Sequence, residues 1–272
     1  MSKLFKQEYP VYNNTLKSYI KNYFVVKYSN NAITNATPDL VPPTGTIVIH
    51  FSIGNNQFAY NKLNNTNRIA ILGLQTRHIN VIPQPGVQII GVNFHHYGFY
   101  NLFGIPAFSF TNSVLLATEI WDCIEVKRIQ NRLSQVSEIE EGICLIENFL
   151  WGQRKKCNHR LYFDSIVEKI VEMNGIFEGD AFLSKYSIYR RSIERYFAQA
   201  IGCSPKRFIN LQRHIYALQK MLETPEASLS MLADQCQYYD VSHLYKDFKM
   251  HAGLTYKDYL RINPEFARIL FS

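Results

Sequence analysis

The chain has 272 residues, of which 47% are hydrophobic and 19% charged, and its formal net charge is +7. This composition excludes disordered and collagen-like chains, and the sequence holds no run of about 18 apolar residues that would span a membrane. The first twenty residues lack the apolar stretch of a signal peptide, so we expect a soluble cytoplasmic protein with no membrane partner.

The first hundred residues predict an antiparallel β-sheet domain. Turn-forming segments rich in Pro, Gly and Asn separate four β-rich runs, which are residues 22–28, 46–52, 68–74 and 87–94. Strands of this length and spacing are typical of a barrel or a sandwich.

Two helices are predicted after Gly98, at residues 119–136 and 137–154. Ser137 and Glu140 have the spacing of a capping box at the start of the second helix. Its apolar residues then form one stripe, made of Ile139, Ile143, Ile146 and Leu150. The stripe can pack on the sheet or form a dimer interface, and the sequence does not distinguish these alternatives.

A polar cluster at residues 154–160 predicts a linker between an N-terminal domain, residues 1–153, and a helical C-terminal domain, residues 161–272. Residues 1–153 hold 11 Lys and Arg against 9 Asp and Glu, whereas residues 154–272 hold 18 against 13. The second part therefore carries +5 of the net charge, which favours a polyanionic partner for that part. Its first helix has an apolar face around Ile166 and Ile170 and is expected to end at the turn Asn174-Gly175.

Five cysteines are widely spaced and form no Cys-x-x-Cys pair: Cys123, Cys144, Cys157, Cys203 and Cys236. An odd number with this spacing fits neither a disulfide framework nor a zinc site. We therefore predict buried reduced thiols, and neither a metal nor another cofactor.

A sixteen-residue pattern occurs twice in the C-terminal domain, as "IERYFAQAIGCSPKRF" at residues 193–208 and "LYKDFKMHAGLTYKDY" at residues 244–259. Positions of similar size and chemistry fall in register, and three of the seven pairs are identical: Ile193/Leu244, Arg195/Lys246, Phe197/Phe248, Gly202/Gly253, Ser204/Thr255, Lys206/Lys257 and Phe208/Tyr259. A pattern repeated only twice indicates a duplicated module, because a solenoid needs at least about three units.

Each copy follows a short helix and a turn, which together predict a helix-turn-helix unit. Between the copies, Ser204 and Pro205 begin a helix that Thr224-Pro225 ends. Nineteen helical residues extend roughly 28 Å at about 1.5 Å per residue, close to the roughly 34 Å between successive major grooves. Two reading units on such a helix could enter adjacent grooves of one DNA duplex.

The region from about residue 160 to residue 264 resembles the AraC/XylS family of bacterial transcription regulators. The resemblance lies in "LADQCQYYDVSHLYKDFKMHAGLTYKDYL", in "SIERYFAQAIGCSPKRF", and in Arg213 with Ala217 on the linker helix. It implies an all-α domain of two helix-turn-helix units joined by a long helix. The chain departs from the family at Gln237-Tyr238, where Gly-Phe is usual, and at Tyr256, where Pro is usual.

The N-terminal part is similar to a sensor-like module of some short family members, through Pro42, Gly45, Gly73, Gln75-Thr76, Phe94 and Gly98. That similarity implies a cupin-like antiparallel β-barrel with trailing helices, so the whole chain would be an α+β protein. It implies no particular ligand. Aromatic residues could line a pocket or form an ordinary core, and they are Phe51, Phe58, Tyr60, Phe94 and Tyr97.

Carried over by position, the family's base-reading sites fall on Arg191, Glu194, Arg195, Val241, Ser242, Tyr245 and Lys246. Such side chains can pair with guanine or cytosine edges or meet a thymine methyl. Phosphate contacts are assigned to Arg190, Lys206, Lys249 and Lys257. Each of these side chains has the alternative of being an ordinary solvated surface residue.

An enzymatic alternative rests on four histidines of the strand region, His50, His78, His95 and His96, because cupin-like barrels can hold a metal. Adjacent residues on a strand point to opposite faces, so His95 and His96 should not share an ion. Residues 46–98 also contain no Asp or Glu, and no nucleophile elbow or phosphate-binding loop is present. We therefore expect no catalysis and no metal.

The sequence thus predicts a transcription regulator that binds double-stranded DNA, and the family resemblance favours an activator. RNA polymerase, a small-molecule effector and a second copy of the chain are further expected partners that the family resemblance suggests. The alternative is a DNA-binding protein whose N-terminal half serves only for dimerisation or partner docking.

Overall fold

A computed structural model describes residues 4–29, 39–54, 59–60, 68–82, 85–155, 161–255 and 258–259. The N-terminal part forms two antiparallel sheets. Its strands are β1 (Leu4–Tyr9), β2 (Ile20–Tyr28), β3 (Asp39–Val41), β4 (Val48–Ile53), β5 (Ala59–Tyr60), β6 (Ile69–Leu72), β7 (Ile79–Ile82), β8 (Gln88–Phe94) and β9 (Val114–Leu116). All four predicted β-rich segments are strands, as β2, β4, β6 and β8.

A six-stranded sheet has the order β1-β2-β8-β4-β6-β9, and a three-stranded sheet has the order β3-β7-β5. Ile79 and Val81 of the small sheet pack against Val26, Leu72 and Ile89 of the large sheet. The predicted antiparallel cupin-like domain is confirmed, although the hydrogen bonds between the described strands form two sheets and do not close one continuous barrel.

Three helices follow, α1 (Gly98–Phe103), α2 (Cys123–Leu133) and α3 (Ile139–Gly152). The predicted apolar stripe of α3 is buried in the same core as the large sheet and α2, so the sheet-packing alternative describes this face. The predicted capping box is wrong: α3 begins after Glu138, and no side chain caps it. Further along α3, the buried carboxylate of Glu147 accepts hydrogen bonds from the backbone N–H groups of Tyr12 (2.8 Å) and Asn13 (2.9 Å).

The cysteines differ from the prediction of burial. Cys203 and Cys236 are buried, but Cys123 and Cys144 are exposed. Burial raises the pKa of the Cys203 thiol to about 12 and that of the Cys236 thiol to about 11, so both stay protonated at neutral pH. Cys157 lies outside the described residues.

The C-terminal part is helical, as predicted. Its helices are α4 (Leu161–Glu172), α5 (Gly179–Ser184), α6 (Arg190–Tyr196), α7 (Pro205–Glu223), α8 (Leu229–Gln235) and α9 (Val241–Ala252). Helix α6 continues into a π-helical turn, Phe197–Ile201. No helix in the described part of the chain is both long and apolar enough to cross a membrane.

The expected helix ends are confirmed. The Ser204 hydroxyl accepts from the N–H of Arg207 at the start of α7, and Pro205 is its first residue. Ser228 caps α8 in the same way through the N–H of Met231. The turn after α4 places Asn174 at φ 52° and Gly175 at φ 63°, and the guanidinium of Arg213 on α7 donates two hydrogen bonds, both 3.1 Å, to the Gly175 carbonyl.

The two helix-turn-helix units have separate apolar cores on the two halves of α7. Ile193, Phe197 and Phe208 belong to the first unit's core, which also contains Leu74 of the N-terminal part. Leu218, Leu244 and Phe248 belong to the second unit's core. The repeated Ile/Leu and Phe positions thus have the same structural role in both copies.

Candidate nucleic-acid interface

The first helix-turn-helix unit consists of α5, a 3-10 turn at Ser187–Tyr189 and α6. Helix α6 buries Ile193 and Tyr196, whereas Arg191, Glu194 and Arg195 are exposed. The hydroxyl of Tyr196 donates a hydrogen bond to the carboxylate of Asp164 on α4, which fixes the buried side of α6 against its neighbour. The three candidate base-reading residues of this unit therefore share the free side of the helix.

Two of the candidate residues on α6 bind each other. The Arg190 guanidinium lies 3.3 Å from the Glu194 carboxylate, and both side chains are more than half exposed. An exposed pair of this kind is worth about 0.5 kcal/mol, so DNA can compete for either partner at little cost. Arg195 and Arg191 form no ion pair with any described residue.

The second unit consists of α8, a turn and α9, and the carboxylate of Asp240 caps α9 by accepting from the N–H of His243 at 2.7 Å. Ser242 and Lys246 are exposed on α9, but Val241 and Tyr245 are partly buried. Val241 packs against the second unit's core. Its side chain offers less surface for a base than the sequence-based assignment assumed.

The candidate phosphate-binding residues differ in their present partners. Lys206 lies 3.1 Å from Asp180 of α5, with both side chains well exposed. Lys249 is exposed and forms no ion pair within the described part of the chain. Lys257 lies outside the described residues.

Large exposed side chains lie two residues before the start of each reading helix, and the sequence pattern did not single them out. Ile188 before α6 is 91% exposed, and Tyr239 before α9 is 93% exposed. Their shared position next to the recognition helices was visible in the sequence as a second correspondence between the two copies.

The turn of the second unit contains the departure from the family pattern. Gln237 has φ 51°, the left-handed conformation for which the family usually supplies glycine. Tyr238 is buried, and its hydroxyl donates to the Asp247 carboxylate on α9 at 2.7 Å. The aromatic position is therefore occupied as in the family, and the extra hydroxyl has a buried partner.

Asp247 is the centre of a polar cluster that the sequence reasoning missed. Its carboxylate accepts from Nδ1 of His214 on α7 at 3.2 Å and lies 3.6 Å from Nε2 of His251. Burial alone would raise the pKa of Asp247, but the hydrogen bond and charge of His214, with His251 and Tyr238, hold the pKa below its ordinary value. The cluster ties α7, α9 and the turn together inside the second unit.

A cavity of about 630 Å³ lies between the large sheet and the helices α4 and α7. Phe24, Val48 and Leu72 contribute apolar surface from the sheet, while Ile215 and Tyr216 line it from α7. The buried amide of Gln212 on α7 also lines this cavity, and its Nε2 atom has no hydrogen-bond partner. The linker helix of the DNA-binding units is thus one wall of the cavity.

The predicted strand histidines have no arrangement suited to a metal. In the part of the chain that the structure describes, no group of three or more His, Cys, Asp or Glu side chains could hold an ion. Nδ1 of His96 lies 2.9 Å from the Gly45 carbonyl, so it must donate a hydrogen bond there. Burial lowers the pKa of His96 to about 4 and that of His50 to about 3, so both rings are neutral at neutral pH.

The candidate aromatic pocket residues separate into two groups. Phe51 and Phe94 are fully buried in the core shared with α1–α3, although Phe94 also borders the cavity. The Tyr97 hydroxyl donates to Glu168 of α4 at 2.5 Å. Phe58 lies outside the described residues, and so does the side chain of Tyr60.

Each of the two parts of the chain matches a protein-family model. Residues 183–262 match a family described as a helix-turn-helix domain, and residues 13–116 match a domain of unknown function (DUF6597). No curated protein sequence matches the chain significantly.

Solved structures of ToxT from Vibrio cholerae are similar over nearly the whole chain. The 1.65 Å structure of ToxT has 11% identity and a TM-score of 0.47, covering 96% of this chain and 99% of that chain. ToxT from strain O395 bound to (E)-4-(8-methylnaphthalen-1-yl)but-3-enoic acid has 11% identity and a TM-score of 0.46, with 96% and 99% covered. ToxT from strain SCE256 bound to an unsaturated fatty acid has 11% identity and a TM-score of 0.42, with 96% of each chain covered.

Two helix-turn-helix units with free reading helices, together with the family match over residues 183–262, define a DNA-binding transcription regulator. Its C-terminal helices form a helix-turn-helix domain of the AraC type, as the sequence resemblance implied.

Proposed function

We propose that both recognition helices, α6 and α9, enter successive major grooves on one face of a DNA duplex, and that the bound protein activates transcription. The observation that carries this proposal is the uninterrupted α7, whose 19 residues separate the two units. Its length of roughly 28 Å is close to the roughly 34 Å repeat of the major groove.

In this proposal Arg191, Glu194 and Arg195 read bases from α6, and Ser242, Tyr245 and Lys246 do so from α9, with Val241 at the edge of the contact. Arg190, Lys206, Lys249 and Lys257 bind phosphates. The exposure of Arg195 and Lys246 at equivalent positions of the two copies supports this division. Because Arg195 and Lys246 are different donors, the two units would read different half-sites.

Arg195→Ala should weaken binding to the selected DNA site by roughly 1–3 kcal/mol and relax base preference at one position, as expected for a bidentate contact with guanine. The site would first be obtained by selecting duplexes from a randomised pool with the wild-type protein. Competition titrations with each single-base variant of that site then give the preference. Unchanged affinity and unchanged preference would remove Arg195 from the reading surface.

Lys249→Ala is the matched variant for a phosphate contact. It should weaken selected and unrelated duplexes alike and reduce the slope of log Kd against log salt by about 1. A loss confined to the selected sequence would instead assign Lys249 to base reading.

The division of labour within the chain is part of the same proposal. Residues 1–153 would modulate activity or assembly, residues 154–160 would link, and residues 161–272 would bind DNA. The two family matches, residues 13–116 and 183–262, each fall within one of the proposed domains. A regulator of this kind would act in the cytoplasm, as a binding protein without catalysis, with RNA polymerase as the partner for activation and a homodimer as its assembly.

We further propose that the cavity between the sheet and α7 binds a small-molecule effector. The unpartnered buried amide of Gln212 and the unpartnered Oδ1 of Asn22 both belong to its lining. Buried polar groups without partners are uncommon and costly, so a ligand with complementary donors and acceptors would gain from pairing with them. An occupant would contact α7 directly.

Val171→Phe, a substitution on the α4 wall of the cavity, should abolish ligand-induced thermal stabilisation. Compounds that raise the wild-type melting temperature in a small-molecule screen would be tested on V171F and on Lys169→Ala, an exposed change on the same helix. We expect K169A to retain the shift. If no compound shifts the wild type, or if V171F responds like the wild type, the alternative of a purely assembling N-terminal domain is favoured.

A further inference from the structure

One corner of the N-terminal domain contacts both DNA-reading units, and we call it the bridging corner (residues 74–78 and 107–113). Its two segments are joined by hydrogen bonds. The N–H of Asn112 donates to the Leu74 carbonyl at 2.9 Å, and the Asn112 side-chain oxygen accepts from the N–H and the hydroxyl of Thr76 at 2.7 and 3.0 Å. The corner is therefore one unit rather than two independent loops.

The first reading unit meets the corner at Gly202, where the helix containing α6 ends. The hydroxyl of Thr111 donates to the Gly202 carbonyl at 2.7 Å. Gly202 has φ 100°, and a Cβ atom at this position would lie 2.6 Å from the Thr111 hydroxyl and 3.3 Å from the backbone of Ala107. The close approach therefore requires glycine.

The second reading unit meets the corner at the equivalent glycine of the repeat, Gly253, where α9 ends. A Cβ atom on Gly253 would lie 2.3 Å from the ring of His78. The N–H of His78 donates to the His251 carbonyl at 2.8 Å. Nδ1 of His251 lies 2.5 Å from the Thr76 carbonyl and must donate there, because a carbonyl only accepts.

The linker helix is held by the same corner. The guanidinium of Arg207, in the first turn of α7, donates to the Thr76 hydroxyl at 2.7 Å. The corner thus binds the end of α6, the start of α7 and the end of α9. Within the C-terminal part, α7 is the element shared by the two separate cores, so the corner adds a second connection between the units.

From these contacts we propose that the bridging corner is a clamp that fixes the relative orientation of the two recognition helices. The corner's hydrogen bonds to the C-terminal part go to the C-terminal ends of the two recognition helices and to α7. The reading residues Arg195, Ser242 and Lys246 remain exposed. The clamp therefore prepares both units for DNA and does not cover them. This inference rests on the proposed binding of two successive grooves.

Two units held in a fixed relative orientation should bind tightly only to DNA whose two half-sites have one particular spacing. Inserting two base pairs between the half-sites turns one by roughly 70° about the DNA axis, so an oriented pair cannot reach both. Without the clamp, bending of α7 lets the two units change their relative orientation. The protein can then reach half-sites at more than one spacing, as two domains joined by a flexible linker do.

The test compares the wild type with an unclamped variant, Thr111→Val combined with His251→Leu, and a matched variant, Thr111→Ser combined with His251→Asn, in which serine keeps the hydroxyl that donates to Gly202. Asparagine retains a donor near the position of Nδ1, so the matched variant keeps the contact with Thr76. Each protein is titrated with the DNA site that the wild type selects, with the same site carrying two inserted base pairs, and with each half-site alone. Thermal melts establish that each variant is folded.

We expect the insertion to cost the wild type and the matched variant at least about tenfold in affinity and the unclamped variant less than about threefold. The unclamped variant should also bind the uninterrupted site about fivefold more weakly, with unchanged half-site affinities. The same insertion penalty in the unclamped variant and the wild type would overturn the clamp, and so would tighter binding by the unclamped variant, which would indicate inhibition. If the wild type selects a site with only one half, the two-groove proposal itself fails, and this is visible before any variant is made.

Discussion

Asp247→Ala is expected to lower the free energy of unfolding of the second helix-turn-helix unit by about 3–5 kcal/mol, the range for removing one partner of a buried ionic cluster. The change leaves the hydroxyl of Tyr238 and Nδ1 of His214 without their acceptor. Denaturant unfolding followed by circular dichroism would measure the loss. Titration with the second half-site should show a parallel loss of binding, because α9 carries Asp247 on its buried side.

A double variant separates the polar cluster from the packing around it. Tyr238→Phe restores the residue usual in the family and removes one of the donors that Asp247 serves. We therefore expect the destabilisation of the double variant Y238F/D247A to be about 1 kcal/mol smaller than the sum of the destabilisations of the two single variants. An unfolding midpoint of D247A equal to that of the wild type would show that the cluster contributes nothing to stability.

The sequence predicted the C-terminal helices well because their signals are local. Ser204, Pro205 and Ser228 determine helix starts from within one turn, and Gly202 and Gly253 determine helix ends by adopting positive φ. The duplicated pattern also placed the buried phenylalanines correctly. Apolar residues four apart lie on the same face of a helix, so this face can be predicted without knowing what packs against it.

The polar cluster of the second unit could not be predicted in the same way. His214 and Asp247 are 33 residues apart and meet only because α9 packs on α7. An aspartate and two histidines in amphipathic helices are typical of solvated faces, so their burial depends on a packing that no local pattern shows. Tyr238 gave one usable signal: a tyrosine hydroxyl at a position usually occupied by phenylalanine requires a buried partner.

The N-terminal domain was predicted at the level of its longer strands and not in its details. β1 has the sequence LFKQEY and lies at an edge of the sheet, where alternation with polar residues is weak evidence for a strand. The cavity and the bridging corner were also missed. Thr76 and His251, which form one of the corner's contacts, are 175 residues apart, and such contacts follow from how the two parts of the chain dock.

Lowering the pH from 7 to 5 should destabilise the N-terminal domain by about 2–4 kcal/mol, because two of its neutral histidines resist protonation. The pKa of His50 is about 3 and that of His96 about 4 in the folded protein, against about 6.5 in the unfolded chain. Below pH 6.5 the unfolded chain therefore binds more protons. The stabilisation is complete above that pH and is lost as the pH falls toward the pKa values of the folded protein. Because both rings keep some contact with solvent, we expect a loss in the lower part of the range of about 2–4 kcal/mol.

Replacing both histidines with residues that do not titrate provides the control. In a His50→Asn, His96→Asn variant, the new amide at position 96 can still donate to the Gly45 carbonyl, but neither side chain can take up a proton. Urea unfolding at pH 7.5, 6.5, 5.5 and 5.0, as a convenient series, should give a clearly shallower loss of stability than the wild type. Some slope should remain, because burial also lowers the pKa values of His78 and His251. Equal slopes in the two proteins would mean that His50 and His96 take up protons freely in the folded state, and that the environment around the cavity is more hydrated than their enclosure indicates.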